Sequence, residues 1–593
     1  MTSHVSLYRP AIPMLGMCCA LALLAVAMPL PVSAAAVDVP VSQPILTDNE
    51  LLWQVAPDEC FNGIGVDYPA INPDGTCSVG QPKANQSYPW GLTEQSGKLW
   101  FGTLANGFCL VAANRTSPTP HLTSNAVCEY GMAEQVRDNP GFPAFFGDWR
   151  TPRIYSWDLT THTLTQQTVN APLLQNTLGL RGAGSIDNIA FLAGPSLVGG
   201  SANFFAFQAD TGKFLGACAR KDYNYVRGWA QVDGVLYVGV SSGAYGSVLR
   251  WNGTPSSFKA GNYCSQFIEV GRVDASVANI TLYVGADGLD RLAISTVPIQ
   301  RGNDGSVSAK GGVAMSRAAP GSAGVAGIWI SPPIPAGGLT PGQVDQWTEI
   351  WTPVQYDPDI ITARYGYSGG AVKQYDGWLY WGTIHLQNAP TLSIHENCTY
   401  SFCFGAPDNN QELLALQNGV YRSTSLWRGR NLEDPATREI QLVYGESELP
   451  ACCSAPKTFA MTPTGWTPLY GPSGYGNRGN EYTWTMEVFD GHLFIGTYDA
   501  SSQQGPSAAA EDGADLWRID SSDSPAVNEN YSGLGDINNN GIRILHALDD
   551  GSGLVAGMTN PYNLAPGGGW ELRLLKEGSP QAKPKKDSSQ PHP

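Results

Sequence analysis

One short phrase recurs along the chain: a polar or Gly turn, two or three large apolar residues, then Gly and often Thr. It stands clearly at Gly97–Thr103, Asp233–Gly239, Asp376–Thr383 and Asp490–Thr497, and more weakly at Ala193–Gly199, Ile280–Gly285 and Gly551–Gly557. Apolar segments such as Gly228–Val232 and Trp484–Phe489 precede the Asp-Gly pairs, so each pair reads as a tight hairpin turn between two strands. Many units close on a third strand, as at Ile154–Asp158, Ser247–Trp251, Ser425–Arg428, Ala514–Ile519 and Gly569–Leu574. A meander of three or four strands has one apolar face too many to stand alone. Packing such sheets round an axis buries both faces and protects their edges.

The sequence therefore predicts an all-β chain, a β-propeller of about seven blades of antiparallel meanders, with six and eight still open. Uneven spacing between copies implies long loop insertions. A content of 68 Gly and 43 Pro fits many short strands joined by turns. Leu51–Val55 precedes the first full repeat and is expected to complete the last blade, tying the ring shut.

Outside this ring the ends read differently. Arg9, an apolar run from Met14 to Met28, Pro29, Pro31 and Val32-Ser33-Ala34 have the form of a signal peptide over residues 1–34. Met17 before Cys18 argues against a lipid-attachment site. A single propeller domain is expected over 45–575 and a disordered polar tail over 576–593, and no other apolar run is long enough for a transmembrane segment. The expected location is secreted or periplasmic. Lys+Arg 34 against Asp+Glu 51 gives a net charge of −17 with no basic cluster before the tail, which excludes nucleic acid as a partner.

Export makes disulfides the expected state of Cys60, Cys77, Cys109, Cys128, Cys218, Cys264, Cys398, Cys403, Cys452 and Cys453. Their order suggests neighbour pairing, 60–77, 109–128, 218–264, 398–403 and 452–453, although connectivity does not follow from sequence and Cys452 and Cys453 could each bond to a distant cysteine.

Several phrases, Trp484–Thr497, Gly513–Arg518, Gly541–Ile544, Met558–Pro561 and Gly569–Leu572, resemble repeats in secreted bacterial β-propeller proteins of undefined function. The resemblance covers mainly 480–575 and implies the fold without an activity. Ala209–Lys213 is similar to part of the tryptophan-docking phrase of quinoprotein dehydrogenases, and Cys452-Cys453 resembles the vicinal disulfide that some of them hold over the quinone. Phe214-Leu215-Gly216 follows, however, and no other blade repeats the phrase, so it reads as a turn and no cofactor is expected.

Other chemistry is weighed on residue types. Asp536–Gly541 opens like a calcium loop, but Ala547 stands where the bidentate acid belongs, so an Asn/Gly turn is expected. His385, His395, Cys398 and Cys403 have the types of a zinc site, and a short disulfide with two loop histidines is the expected alternative; no metal is expected. A serine-nucleophile elbow is absent, with almost no helical periodicity to build one. Carboxylates for hydrolysis could come from Glu94, Asp187, Glu481, Glu487 and Asp499, whereas Asp233, Asp376 and Asp490 have turn roles.

Two classes of function stay open. In the first, a recognition or scaffold module binds glycan or protein through aromatic-rich loops at the axial funnel, with Tyr365, Tyr367, His385, Tyr475, Tyr482 and Trp484 as ligand-binding residues and Arg227 and Arg543 as polar contacts. In the alternative, the propeller is an enzyme with its site at the same funnel, of glycoside hydrolase or lyase type, or less so a quinoprotein oxidoreductase.

Overall fold

The computed structural model describes residues 43–66, 68–112, 120–130, 148–197, 200–261, 263–299, 324–385, 389–397, 400–501 and 513–578. The expected leader and Cys398 lie outside these residues. The chain is a β-propeller. Four of its sheets have four strands each, ordered as antiparallel meanders, and a fifth has twelve. Single bridges, Ile384 to Tyr482 and Tyr498 to Gly541, are all that join the twelve strands into one sheet. Between those bridges it divides into three further meanders of four.

The innermost strands are Gln86–Gln95, Gly182–Ile186, Tyr225–Val232, Ser276–Val284, Tyr367–Tyr375, Asn480–Phe489 and Gly541–Ala547. Each packs against the next, and Gly541–Ala547 packs back on Gln86–Gln95, which closes the ring. The last meander takes its outer strand from the other end of the chain: Asp48–Gln54 pairs antiparallel with Glu571–Lys576. That strand runs one residue into the segment expected as tail. A shared core of Leu99, Phe101 and Tyr155 with Val555, Trp570 and Leu572 holds the seam.

The recurring phrase has two physical causes. Asp233, Asp376 and Asp490 take φ of 48°, 47° and 45°, and the glycines after them 72°, 76° and 78°. Such two-residue turns match the twist of the strands they join. The closing glycine serves packing between blades: a Cβ at Gly239, Gly382 or Gly496 would collide with Val277, Thr483 or Ile542 of the following inner strand.

Two weak copies of the phrase have a different place from the strong ones. Ile280–Gly285 belongs to the inner strand Ser276–Val284, and the second strand of that blade is Asp290–Val297. At the weak copy Ala193–Gly199 the second strand is Ile189–Pro195, which begins ahead of the phrase and is entered through a turn at Asp187-Asn188. The insertion after Gly382 also carries two helices, Ala389–Asn397 and Asn410–Val420, where the sequence shows almost no helical periodicity. Asn409 caps the second by accepting the Glu412 amide at 3.0 Å, so a local cap supplies what periodicity lacks.

Disulfides join Cys60–Cys77, Cys109–Cys128, Cys218–Cys264 and Cys452–Cys453. Cys403 is disulfide-bonded as well. Several disulfides in one chain suit an oxidising, extracellular or periplasmic environment. Among the described residues no helix is long and apolar enough to cross a membrane.

Candidate functional site

Six of the seven inner strands carry a register shift that leaves residues unpaired between partners. Pro89 faces Thr103 and Gly91 faces Gly102, which leaves Trp90 over. The same arithmetic leaves Trp484 between Thr483 and Thr485, and Arg543 between Ile542 and Ile544. In the remaining strands it frees Arg227 and Gly228, Ala278, and Gly370 and Ala371. A bulge kinks its strand and re-aims a side chain, here at equivalent stations round the axis. The exception is Gly182–Ile186, and Arg181 stands immediately before it. The result is a lopsided layer: Trp484, Arg543, Trp90, Arg181 and Arg227 on one arc, Ala278 and Gly370 on the other.

Contacts confirm that the large residues of this arc meet. The Arg181 guanidinium lies over Trp90 at 5.1 Å and over Tyr225 at 4.7 Å, and Arg543 lies over Trp484 at 5.5 Å. Trp484 meets Tyr88 edge-on at 6.0 Å, and Tyr482 stacks on Tyr498 at 4.5 Å. Arg227 and Arg543 are 5% and 7% exposed. Among the described residues, Nε of all three arginines has no hydrogen-bond partner. Among the described residues no carboxylate pairs with any of them. Such an arrangement is costly, because buried cations are ordinarily paired.

Titration reflects the cost. Burial, with Arg227 adding to it, pushes the Arg181 guanidinium down to about 10. Burial and the charges of Arg227 and Arg181 drive Arg543 well below its usual range. Burial alone would raise the Tyr225 phenol, but Arg181, Arg227 and Arg543 outweigh it and hold the phenol below its ordinary value.

The expected site residues divide into two groups. Arg227, Arg543, Tyr482 and Trp484 belong to this arc. Tyr367 is buried and donates from its hydroxyl to Asp357 at 3.0 Å, inside a network with Arg422. His385 is buried edge-on to Tyr367, and Tyr365 packs with Ile361 and Cys403. Tyr475 stacks on Trp517 and shares a hydrogen bond of 3.0 Å with Thr483. Arg181, Tyr88, Trp90 and Tyr225 were missed. A usable signal existed, since Trp90-Gly91, Arg181-Gly182 and Arg227-Gly228 each set a large side chain before Gly at an inner strand.

Among the carboxylates, Glu487 pairs with Lys373 at 2.6 Å, and Asp499 accepts from Asn477 at 2.7 Å and from the Ser501 amide at 2.6 Å. Glu481 is buried, and Asp187 forms the turn already described. Glu94 meets His546 at 3.2 Å with Asp549 beside them. Asp536 accepts from the Asn538 amide, as an Asn/Gly turn would. His395 pairs with Asp359 at 3.2 Å.

A cavity of about 430 Å³ lies elsewhere, lined by Asp58, Glu59, Arg150, Arg153 and Gln167 among others. Its charges are already matched: Arg153 with Asp58 at 2.8 Å, Arg150 with Glu59, and Lys83 nearby with Glu129 at 2.8 Å. The axial arc, with its unmatched charge, is the stronger candidate.

No protein-family model and no curated protein matches the chain. Its structure is similar to that of the polysaccharide lyase Uly1, with a TM-score of 0.39 and 8% identity over 90% of this chain and 99% of that one. It is also similar to the WD40 repeats of RRP9, at 0.36 and 9% over 91% and 100%. Pseudomonas fluorescens PhoX in complex with vanadate gives 0.38 and 11% over 91% and 96%. Likenesses this low carry no argument about activity.

Proposed function

We propose that this propeller is an exported recognition module that binds a saccharide in its axial channel, at the arc formed by Trp90, Arg181, Tyr225, Arg227, Tyr482, Trp484 and Arg543. The observation that carries the reading is the set of bulges, which turns large aromatic and forked polar side chains toward one place on a rigid ring. Flat rings suit stacking on sugar faces, and guanidinium forks suit hydroxyl and oxyanion groups. Titration calorimetry with a panel of neutral and acidic oligosaccharides tests it. At least one should bind the wild type, and Trp484→Ala should lose that binding while the circular dichroism stays that of the folded ring. Unchanged affinity in Trp484→Ala would move the site elsewhere.

One observation favours an enzyme as second reading. Tyr225 lies under the Arg181 guanidinium at 4.7 Å, and the neighbouring arginines hold its phenol below the ordinary value, a combination that suits proton exchange with a bound ligand. Turnover of a bound saccharide that is lost in Tyr225→Phe without loss of binding would establish it.

A further inference from the structure

Resting on the axial channel as the binding site, we infer that its ligand is an acidic saccharide, whose carboxylate or phosphate oxygens are gripped by Arg181, Arg227 and Arg543. Three features of these side chains carry the inference. First, they converge from three separate strands or strand starts, so the cluster is not a surface run of basic residues. Second, among the described residues each leaves its Nε–H unpartnered, and two of the three are more than nine-tenths buried, so one donor of each fork is uncommitted. Third, aromatic rings cover their faces: Trp90 and Tyr225 for Arg181, Trp484 for Arg543. A guanidinium packed on its face presents its edge, where the N–H donors lie in one plane, and that is the geometry that takes two oxygens of one oxyanion at once.

The charge balance points the same way. The chain as a whole carries −17, so an anion gains nothing from the overall field and must be drawn by a local one. Within the arc the cations repel each other across a low-dielectric space, and one oxyanion relieves all three pairwise repulsions together. A neutral sugar relieves none. Aromatic walls beside the forks fit a ring that carries the anion, rather than a bare ion, since stacking and charge pairing are available on the same ligand.

The test is titration calorimetry of the full chain with four probes: a trigalacturonate, glucose 6-phosphate, inorganic phosphate and the neutral xylotriose. Wild type is expected to bind at least one of the two acidic sugars ten-fold or more tightly than xylotriose. Which acidic sugar is preferred distinguishes carboxylate from phosphate. Arg227→Gln and Arg543→Gln should each weaken that binding at least ten-fold, and Arg227→Lys, which keeps the charge without the fork, should restore only part of it. Should a variant lose its fold, raising the salt from low to 0.5 M on wild type asks the same question, since binding of the acidic sugar should fall and stacking alone should not. Equal or tighter binding of xylotriose, unaffected by either Gln variant, would overturn the acidic class while leaving the channel as a saccharide site. Binding of inorganic phosphate as tight as either acidic sugar would overturn the saccharide part. Failure of wild type to bind any probe would overturn both.

Discussion

Arg422 is buried and Arg181 half-buried, and the two should respond oppositely to loss of charge. Arg422 donates to both oxygens of Asp357, at 2.7 and 3.1 Å, and to the Pro450 carbonyl at 2.7 Å. Arg422→Gln strands the buried Asp357 carboxylate, which costs ~3–5 kcal/mol. Arg181 has no carboxylate partner. Its displacement from 12.5 to about 10 corresponds to ~3 kcal/mol held against the charged form in the empty protein. Arg181→Gln releases that and forfeits contacts over Trp90 and Tyr225 of ~0.5–1 kcal/mol each. A net gain of ~1–2 kcal/mol follows, less whatever the shorter side chain loses in packing. Urea denaturation of both variants beside wild type measures it, with added sulfate expected to raise the midpoint of wild type more than that of Arg181→Gln. If Arg181→Gln falls as far as Arg422→Gln, the arc is a matched structural cluster and does not bind an anion.

Other consequences are separately checkable. Burial, with Asp499 adding, raises the Asp515 carboxyl to about 7 from 3.8. Because the folded chain then holds a proton that the unfolded chain has released, stability should fall as pH rises from about 4 to about 7. In Asp515→Asn that slope should flatten, leaving the variant ~2–4 kcal/mol more stable at pH 8, as read by denaturation midpoints across pH. Gly382→Ala presses a methyl on Thr483 of the next blade and should cost ~1–3 kcal/mol; an unchanged midpoint would contradict the packing between blades. Nonreducing peptide mapping should recover Cys218 linked to Cys264, and Cys218→Ser should lose ~2–5 kcal/mol.

What the sequence makes legible is local chemistry repeated in register. Asp233, Asp376 and Asp490 are readable because a two-residue turn demands φ above zero at both positions, and Gly382 and Gly496 are readable because each blade needs the same missing Cβ. Ile280–Gly285 misleads for the complementary reason: its apolar run suits an inner strand as well as a second strand, and only pairing with Asp290–Val297 decides which. The site is less legible than the ring. Trp484 and Tyr482 stand out as aromatics ahead of a strong copy of the phrase, but a bulge is a property of two strands at once, so the Gly after Arg181 or Trp90 flags the position without fixing where the side chain points. Tyr367 shows the converse, an aromatic in a suggestive stretch whose hydroxyl is committed to Asp357. Arg543 and Arg422 have the same side chain in sequence; the presence or absence of a carboxylate opposite separates them.

Crystals of the protein soaked with selenate, whose anomalous scattering locates an oxyanion directly, give the sharpest test of the arc. The expected result is an anomalous peak within hydrogen-bond distance of the Arg227 and Arg543 guanidinium groups, lost in crystals of Arg227→Gln. Selenate found only at surface lysines and arginines, with the arc empty in the same crystals, would contradict an anion site at the axis.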